Sequence, residues 1–186
     1  PGETTKVARV NLRDGNARNV TWRELEARAN QIGRALAALG VEKDNIVALA
    51  LPSCVEHVFV TVAIWKLGAT LLPLRHDLPD WEMARMLDLA GPKALVSDRH
   101  TAQCPVLTRA DLAETETLPS DPLPDAVSEC VNLVASSGST GFPKLIVTPM
   151  RGVVGGDKQQ GSAKGDGPMV GLVLSPLYHV NGFAFA

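Results

Sequence analysis

The sequence predicts an α/β protein in three layers, with a parallel sheet covered by helices on both faces. Three observations carry that reading. Residues 46–51 and 69–74 are nearly all-apolar runs of strand length, the pattern of parallel strands buried on both sides. Amphipathic helical periodicity runs through residues 22–39, ahead of the first of them, and a second helix-length stretch lies between the two. The alternation then repeats as helix and strand through Ser97, which is the order that crossover-connected parallel strands require.

The elements follow in order. Residues 6–12 suit a short strand, closed by a turn at Asp14-Gly15-Asn16. Thr21-Trp22-Arg23-Glu24 forms a capping box, with the Thr21 hydroxyl accepting from the Glu24 N–H and Glu24 reaching back to the Thr21 N–H. Trp22, Leu25, Ala29, Ile32, Leu36 and Leu39 then recur at spacings of three and four, and Gly40 supplies the left-handed residue past the helix end. This helix is expected to turn a charged face outward.

Pro52-Ser53 breaks the first apolar run, and Ser53 is the expected cap of a helix reaching Leu67, ended by Gly68. Residues 80–89 give another helix, closed by Gly91-Pro92, and residues 93–97 a further strand. Residues 98–128 turn proline-rich and acidic, which reads as a solvated connector with one short strand at Val106-Leu107. The expected division is a first α/β subdomain over 1–128, with its connector from about 98, and the start of a second over 129–186.

The stretch that carries chemistry lies just past that boundary. Val131 to Ala135 can form a buried strand, and it empties into Ser136-Ser137-Gly138-Ser139-Thr140-Gly141-Phe142-Pro143-Lys144, followed by a β-branched run. Two glycines let the bend take positive φ, so successive N–H groups converge on an anion, with four hydroxyls and the Lys144 ammonium as further donors. A kinase-type phosphate loop needs Gly-Lys-Ser/Thr at the start of a helix. Here Lys144 follows Pro143, and Pro149 leaves no room for a helix, so the loop joins two strands. Glycine and serine also suit a plain surface hairpin, but the ordered string favours phosphate.

Composition sets the outer limits. The 186 residues are 45% hydrophobic and 20% charged, enough for a substantial core. Eighteen basic against twenty acidic residues leave a charge of -2, with no basic run to suit nucleic acid. No apolar segment reaches the ~18 residues of a membrane span and no cationic, apolar leader opens the chain, so the expected location is cytoplasmic. Cys54, Cys104 and Cys130 are widely spaced and read as reduced thiols; no histidine pairs with them at metal-ligand spacing, so no metal site is proposed. His57 sits in a helix pattern, and His76 and His100 in polar turns.

The string Ser136 to Lys144 resembles the signature of the adenylate-forming superfamily, Thr-Ser-Gly-(Ser/Thr)-Thr-Gly-x-Pro-Lys-Gly, found in acyl-CoA synthetases, peptide-synthetase adenylation domains and beetle luciferases. Leu145 departs from it where a glycine is usual, and Pro149 stands near where a histidine often follows. Residues 152–167 are glycine-rich and weak in helix propensity where relatives usually place a helix. Residues 169–174 form a predicted strand, and Ser175-Pro176-Leu177-Tyr178-His179-Val180-Asn181-Gly182-Phe183 follows it, resembling the family's Pro-Leu-(Tyr/Phe)-His-x-x-Gly motif. The resemblance extends to residues 21–30, 39–41, 47–52 and 65–69.

What the resemblance implies is the amino-terminal part of an ATP-dependent acyl-CoA synthetase, in which a carboxylate attacks the α-phosphorus of ATP, pyrophosphate leaves, and coenzyme A captures the acyl-adenylate. Ser136, Ser137, Gly138, Ser139, Thr140, Gly141, Pro143 and Lys144 would hold the ATP phosphates, with Mg²⁺ sharing the charge. His179, Gly182 and Phe183 would line the acid pocket, and Tyr178 is read as packing. In the family an acidic Mg²⁺ ligand, a ribose-binding Asp and a Lys from a carboxy-terminal lid domain come later than the residues present here. The 186 residues alone are therefore expected to be inactive. The alternatives are a peptide-synthetase adenylation domain, a luciferase-like enzyme, or a non-catalytic nucleotide-binding or interaction module. Leu145 and the Ser-Gly-Ser-Thr form lean towards larger aliphatic, alicyclic or steroid-like acids over acetate.

Overall fold

The computed structural model describes residues 6–11, 17–136, 144–147 and 175–179. The chain opens with an antiparallel pair, β1 (Lys6–Asn11) and β2 (Ala17–Thr21). Thr21 then caps α1 (Trp22–Ala38), its Oγ1 accepting from the Glu24 N–H at 3.1 Å. The Glu24 carboxylate is engaged by Arg18 at 2.5 Å, so the helix start carries one half of the predicted capping box. At the other end Gly40 takes φ +83°, its N–H donates to Ala37 and that of Val41 to Leu36, which satisfies the last carbonyls as expected.

The centre is a four-stranded parallel sheet in the order β4 (Thr70–Pro73), β3 (Ile46–Ala50), β5 (Ala94–Ser97), β6 (Val106–Leu107). Alternation along each strand explains why the sequence shows unbroken apolar runs. Val47 lies beside Leu71 and Ala94, and Leu49 beside Val96, on one face; Ala48 lies beside Leu72 and Leu95 on the other. The first set packs with α1 and α2 (Val55–Lys66), through Ile32, Leu36, Phe59, Val60 and Ile64. The second packs with α3 (Asp80–Ala90), through Met83, Met86 and Leu87. Three layers result, as the sequence predicts.

The 98–128 segment is where the structure departs most from expectation. It carries a helix, α4 (Arg109–Glu114), with a full capping box between Thr108 and Asp111, and a 3₁₀ turn at Thr115–Thr117. Far from being a merely solvated connector, it lies along the polar side of α1. Arg28 donates to the Leu112 carbonyl at 2.7 Å, Gln31 to those of Glu116 and Leu118 at 2.9 and 3.0 Å, and Asn30 to that of Ser120 at 2.8 Å. Asn30 and Gln31 are buried by this, so part of the face read as outward and charged is an interface.

Beyond the connector, residues 130–132 run beside β4. The Leu71 N–H donates to Val131 at 3.1 Å and the Thr70 hydroxyl to Cys130 at 2.7 Å. That contact delivers the chain to β7 (Leu133–Ser136) and β8 (Lys144–Val147), an antiparallel pair whose Leu133, Ala135 and Leu145 join the apolar cluster on the α3 face.

Candidate nucleotide and acid site

The bend nominated for phosphate is held by β7 and β8. Their register sets Leu133 against Val147, Val134 against Ile146, Ala135 against Leu145 and Ser136 against Lys144. The chain therefore leaves one strand at Ser136 and re-enters its neighbour at Lys144, with residues 137–143 between. No helix begins at Lys144, which agrees with the strand-loop-strand expectation and differs from the kinase-type arrangement. The Lys144 side chain is exposed. Ser137, Gly138, Ser139, Thr140, Gly141 and Pro143 lie outside the described residues, as do Gly182 and Phe183.

The second motif is described over Ser175 to His179. Residues 176–179 form a turn in which the His179 N–H donates to the Pro176 carbonyl at 3.0 Å, leaving the His179 side chain exposed. The strand expected to lead into it, 169–174, lies outside the described residues. What the structure shows instead is that this turn meets the carboxyl end of β3. The Leu177 N–H donates to the Ser53 hydroxyl at 3.1 Å, across 124 positions of sequence. Ser53 therefore does not serve as the cap of α2 that the sequence suggests: Cys54 occupies the cap position, with no side-chain cap bond. Carboxyl ends of parallel strands are where open α/β sheets bind ligands, so the placement suits a substrate wall.

One further residue reaches the same place, and a second holds it there. The His76 ring, just beyond β4, lies 6.4 Å from that of Tyr178 and is tilted by 53°. His100, beyond β5, donates from Nε2 to the His76 carbonyl at 3.0 Å, and its Nδ1 is 3.2 Å from Asp80 at the start of α3. The sequence places His76 and His100 in polar turns; nothing in the local pattern marks the contact of His76 with Tyr178 about a hundred positions away, or the support it receives from His100.

The titratable groups behind Ser53 are electrically quiet. Burial pushes the Cys54 thiol up to about 12, which keeps it protonated. Burial likewise lowers His57 to about 4, so its ring is neutral and donates from Nδ1 to the Leu51 carbonyl at 3.3 Å. At neutral pH the thiol is therefore not ionised and the His57 ring carries no charge. Among the described residues no group of three or more His, Cys, Asp or Glu is arranged to hold a metal ion, so the Mg²⁺ of the sequence reading finds no protein cage there. Residues that share charge with Mg²⁺ through ATP need supply no such cage. No helix of the described residues is long and apolar enough to cross a membrane.

Comparison with known proteins decides the family. A model of the AMP-binding enzyme family matches residues 2–186, which takes in both motifs and the whole described sheet. The chain belongs to the AMP-binding enzymes. Phosphinothricin tripeptide synthetase PhsC of Streptomyces viridochromogenes is 35% identical to it over 150 residues, covering 73% of this AMP-binding chain and 14% of PhsC. Among solved structures, the N-terminal subdomain of NpsA from Klebsiella oxytoca, in complex with 3-hydroxybenzoyl-AMSN, matches at a TM-score of 0.61 and 27% identity, over 70% of this chain and 34% of that one. An acyl-CoA synthetase of Brucella canis shares the fold at a TM-score of 0.66, over 80% of this chain and 31% of its own. The AMP-binding chain thus spans a seventh of PhsC and about a third of these solved chains.

Proposed function

We propose that this chain is the part of an adenylate-forming acid–thiol ligase that grips the ATP phosphates and begins the acid pocket. The observation that carries the reading is the β7–β8 register, in which Ser136 and Lys144 stand opposite each other at the two ends of a Ser/Thr/Gly bend. Both reactants are anions, so the work is charge neutralisation and alignment rather than proton transfer. Loop N–H groups, the hydroxyls of Ser136, Ser137, Ser139 and Thr140, and the Lys144 ammonium would bind the β- and γ-phosphates, with Gly138, Gly141 and Pro143 setting the shape. His179, Gly182 and Phe183 would face the acid. Mg²⁺, when bound, supplies charge to the phosphates.

For the thiol acceptor we take coenzyme A, the reading that the motif resemblance suggests. A second reading has specific support. PhsC is a tripeptide synthetase, and a relative of that kind favours a thiol on a carrier domain. The test is ATP–pyrophosphate exchange by the full-length protein across a panel of carboxylic and amino acids, followed by product analysis with coenzyme A. Acid-dependent exchange is expected. An acyl-CoA product supports the first acceptor, accumulation of acyl-adenylate despite coenzyme A supports the second, and no exchange with any acid overturns both.

A further inference from the structure

We propose that Ser53 and His76 are positioning residues for the acid pocket: together they hold the Pro176-Leu177-Tyr178-His179 turn against the carboxyl end of the parallel sheet and so fix where His179 stands. The proposal rests on the reading of His179 as a pocket residue given above.

Three contacts support it. The Ser53 hydroxyl accepts from the Leu177 N–H at 3.1 Å, a bond between a loop of the first sheet and the second motif. The His76 ring lies against that of Tyr178, the neighbour of His179, at 6.4 Å between centroids. His76 is itself fixed, because its carbonyl accepts from His100, whose other ring nitrogen stands at Asp80. Ser53 follows β3 and His76 follows β4, adjacent parallel strands, so the two supports reach the turn from neighbouring points on one rigid sheet edge. The turn also has a bond of its own, from the His179 N–H to Pro176, so a shift imposed at Leu177 is carried to His179 rather than absorbed between them.

A residue that positions the acid pocket affects acid more than nucleotide. Loss of one neutral hydrogen bond corresponds to about a two- to ten-fold change. In the full-length protein Ser53→Ala should therefore raise KM for the acid about three- to ten-fold, with KM for ATP within two-fold and the melting temperature nearly unchanged. Ser53→Thr, which keeps the hydroxyl, should restore the acid KM. His76→Ala should act in the same direction, and His76→Phe, which keeps a ring, should recover most of the loss. Equal changes in the acid and ATP constants, no change in either, or failure of the conservative variants to rescue would overturn the proposal.

Cross-linking provides a readout independent of activity. In a Cys54→Ala background, the pair Ser53→Cys and Leu177→Cys should form a disulfide on mild oxidation, since the Ser53 side chain already reaches to 3.1 Å from the Leu177 backbone nitrogen. Absence of that cross-link in folded protein shows that the docking itself is wrong. A cross-link together with no acid-dependent exchange in the wild type means that the enzymatic reading has failed, and the positioning role falls with it.

Discussion

Ser136 and Lys144 face each other across an antiparallel pair, so the hydroxylated bend between them is closed at its base by strand hydrogen bonds rather than leading into a helix. In the function proposed above the work is divided: the bend between β7 and β8 would grip phosphate, and the turn at Leu177 and His179, docked on Ser53, would begin the acid wall.

The docking of the connector can be read through two glycines. Gly68 has φ +64°, and a Cβ there would stand 2.9 Å from Ala126 Cβ and 3.1 Å from Val127 N; Gly91 has φ +57° with nothing within 4 Å. Gly91→Ala should cost only the left-handed strain, about 1–2 kcal/mol, whereas Gly68→Ala adds a clash with backbone that has little room to yield. Thermal melting should show the larger loss for Gly68→Ala, and equal losses would mean that the 126–127 segment does not pack there.

Gln31 tests the same interface from the helix side. Its amide serves the carbonyls of Glu116 and Leu118, and Gln31→Leu would leave both unpaired in a part-buried setting, at about 1–3 kcal/mol. The expected outcome is faster proteolysis within residues 109–125, with the parallel sheet still folded. Unchanged cleavage would contradict the account.

Stability should fall on mild acidification because of His57. Burial lowers its pKa to about 4 against 6.5 for an exposed histidine, so between those values the unfolded chain binds a proton that the folded chain does not. The His57 contribution is complete above pH 6.5 and is lost as pH falls through that window towards 4, on the order of 3 kcal/mol. Glu26 and Asp111, both held below the usual carboxylate range, mainly by hydrogen bonds from Lys66 and Thr108, add losses at lower pH. Urea unfolding from pH 7 to 5 should therefore show a slope in the wild type that His57→Leu flattens. A slope that survives the substitution would assign it elsewhere.

How far the sequence revealed all this depends on the range of the forces involved. The parallel strands were legible because double-sided burial writes itself as the unbroken runs at 46–51 and 69–74, and Gly40, Gly68 and Gly91 mark chain reversals by a local backbone need. The strands on either side of the Ser/Thr/Gly string were legible from the apolar run ahead of it and the β-branched run after it. The role of the 98–128 segment was not, because Gln31 and Asn30 read as ordinary polar helix residues until carbonyls from Glu116, Leu118 and Ser120 are brought to them. Ser53 was misread for a related reason: a serine ahead of a helix is the expected cap, and only the fold shows its hydroxyl accepting from Leu177 instead. His76 carried no local signal at all.

The most direct test of the central claim is an ATP titration of the full-length protein beside its Lys144→Ala variant, read by calorimetry with Mg²⁺ present. The account predicts that the wild type binds ATP and that the variant binds it at least about ten-fold more weakly, the loss expected for one charge-assisted phosphate contact, with its melting temperature unchanged. ATP affinity that is the same with and without the Lys144 ammonium, or no ATP binding by the wild type, would contradict it.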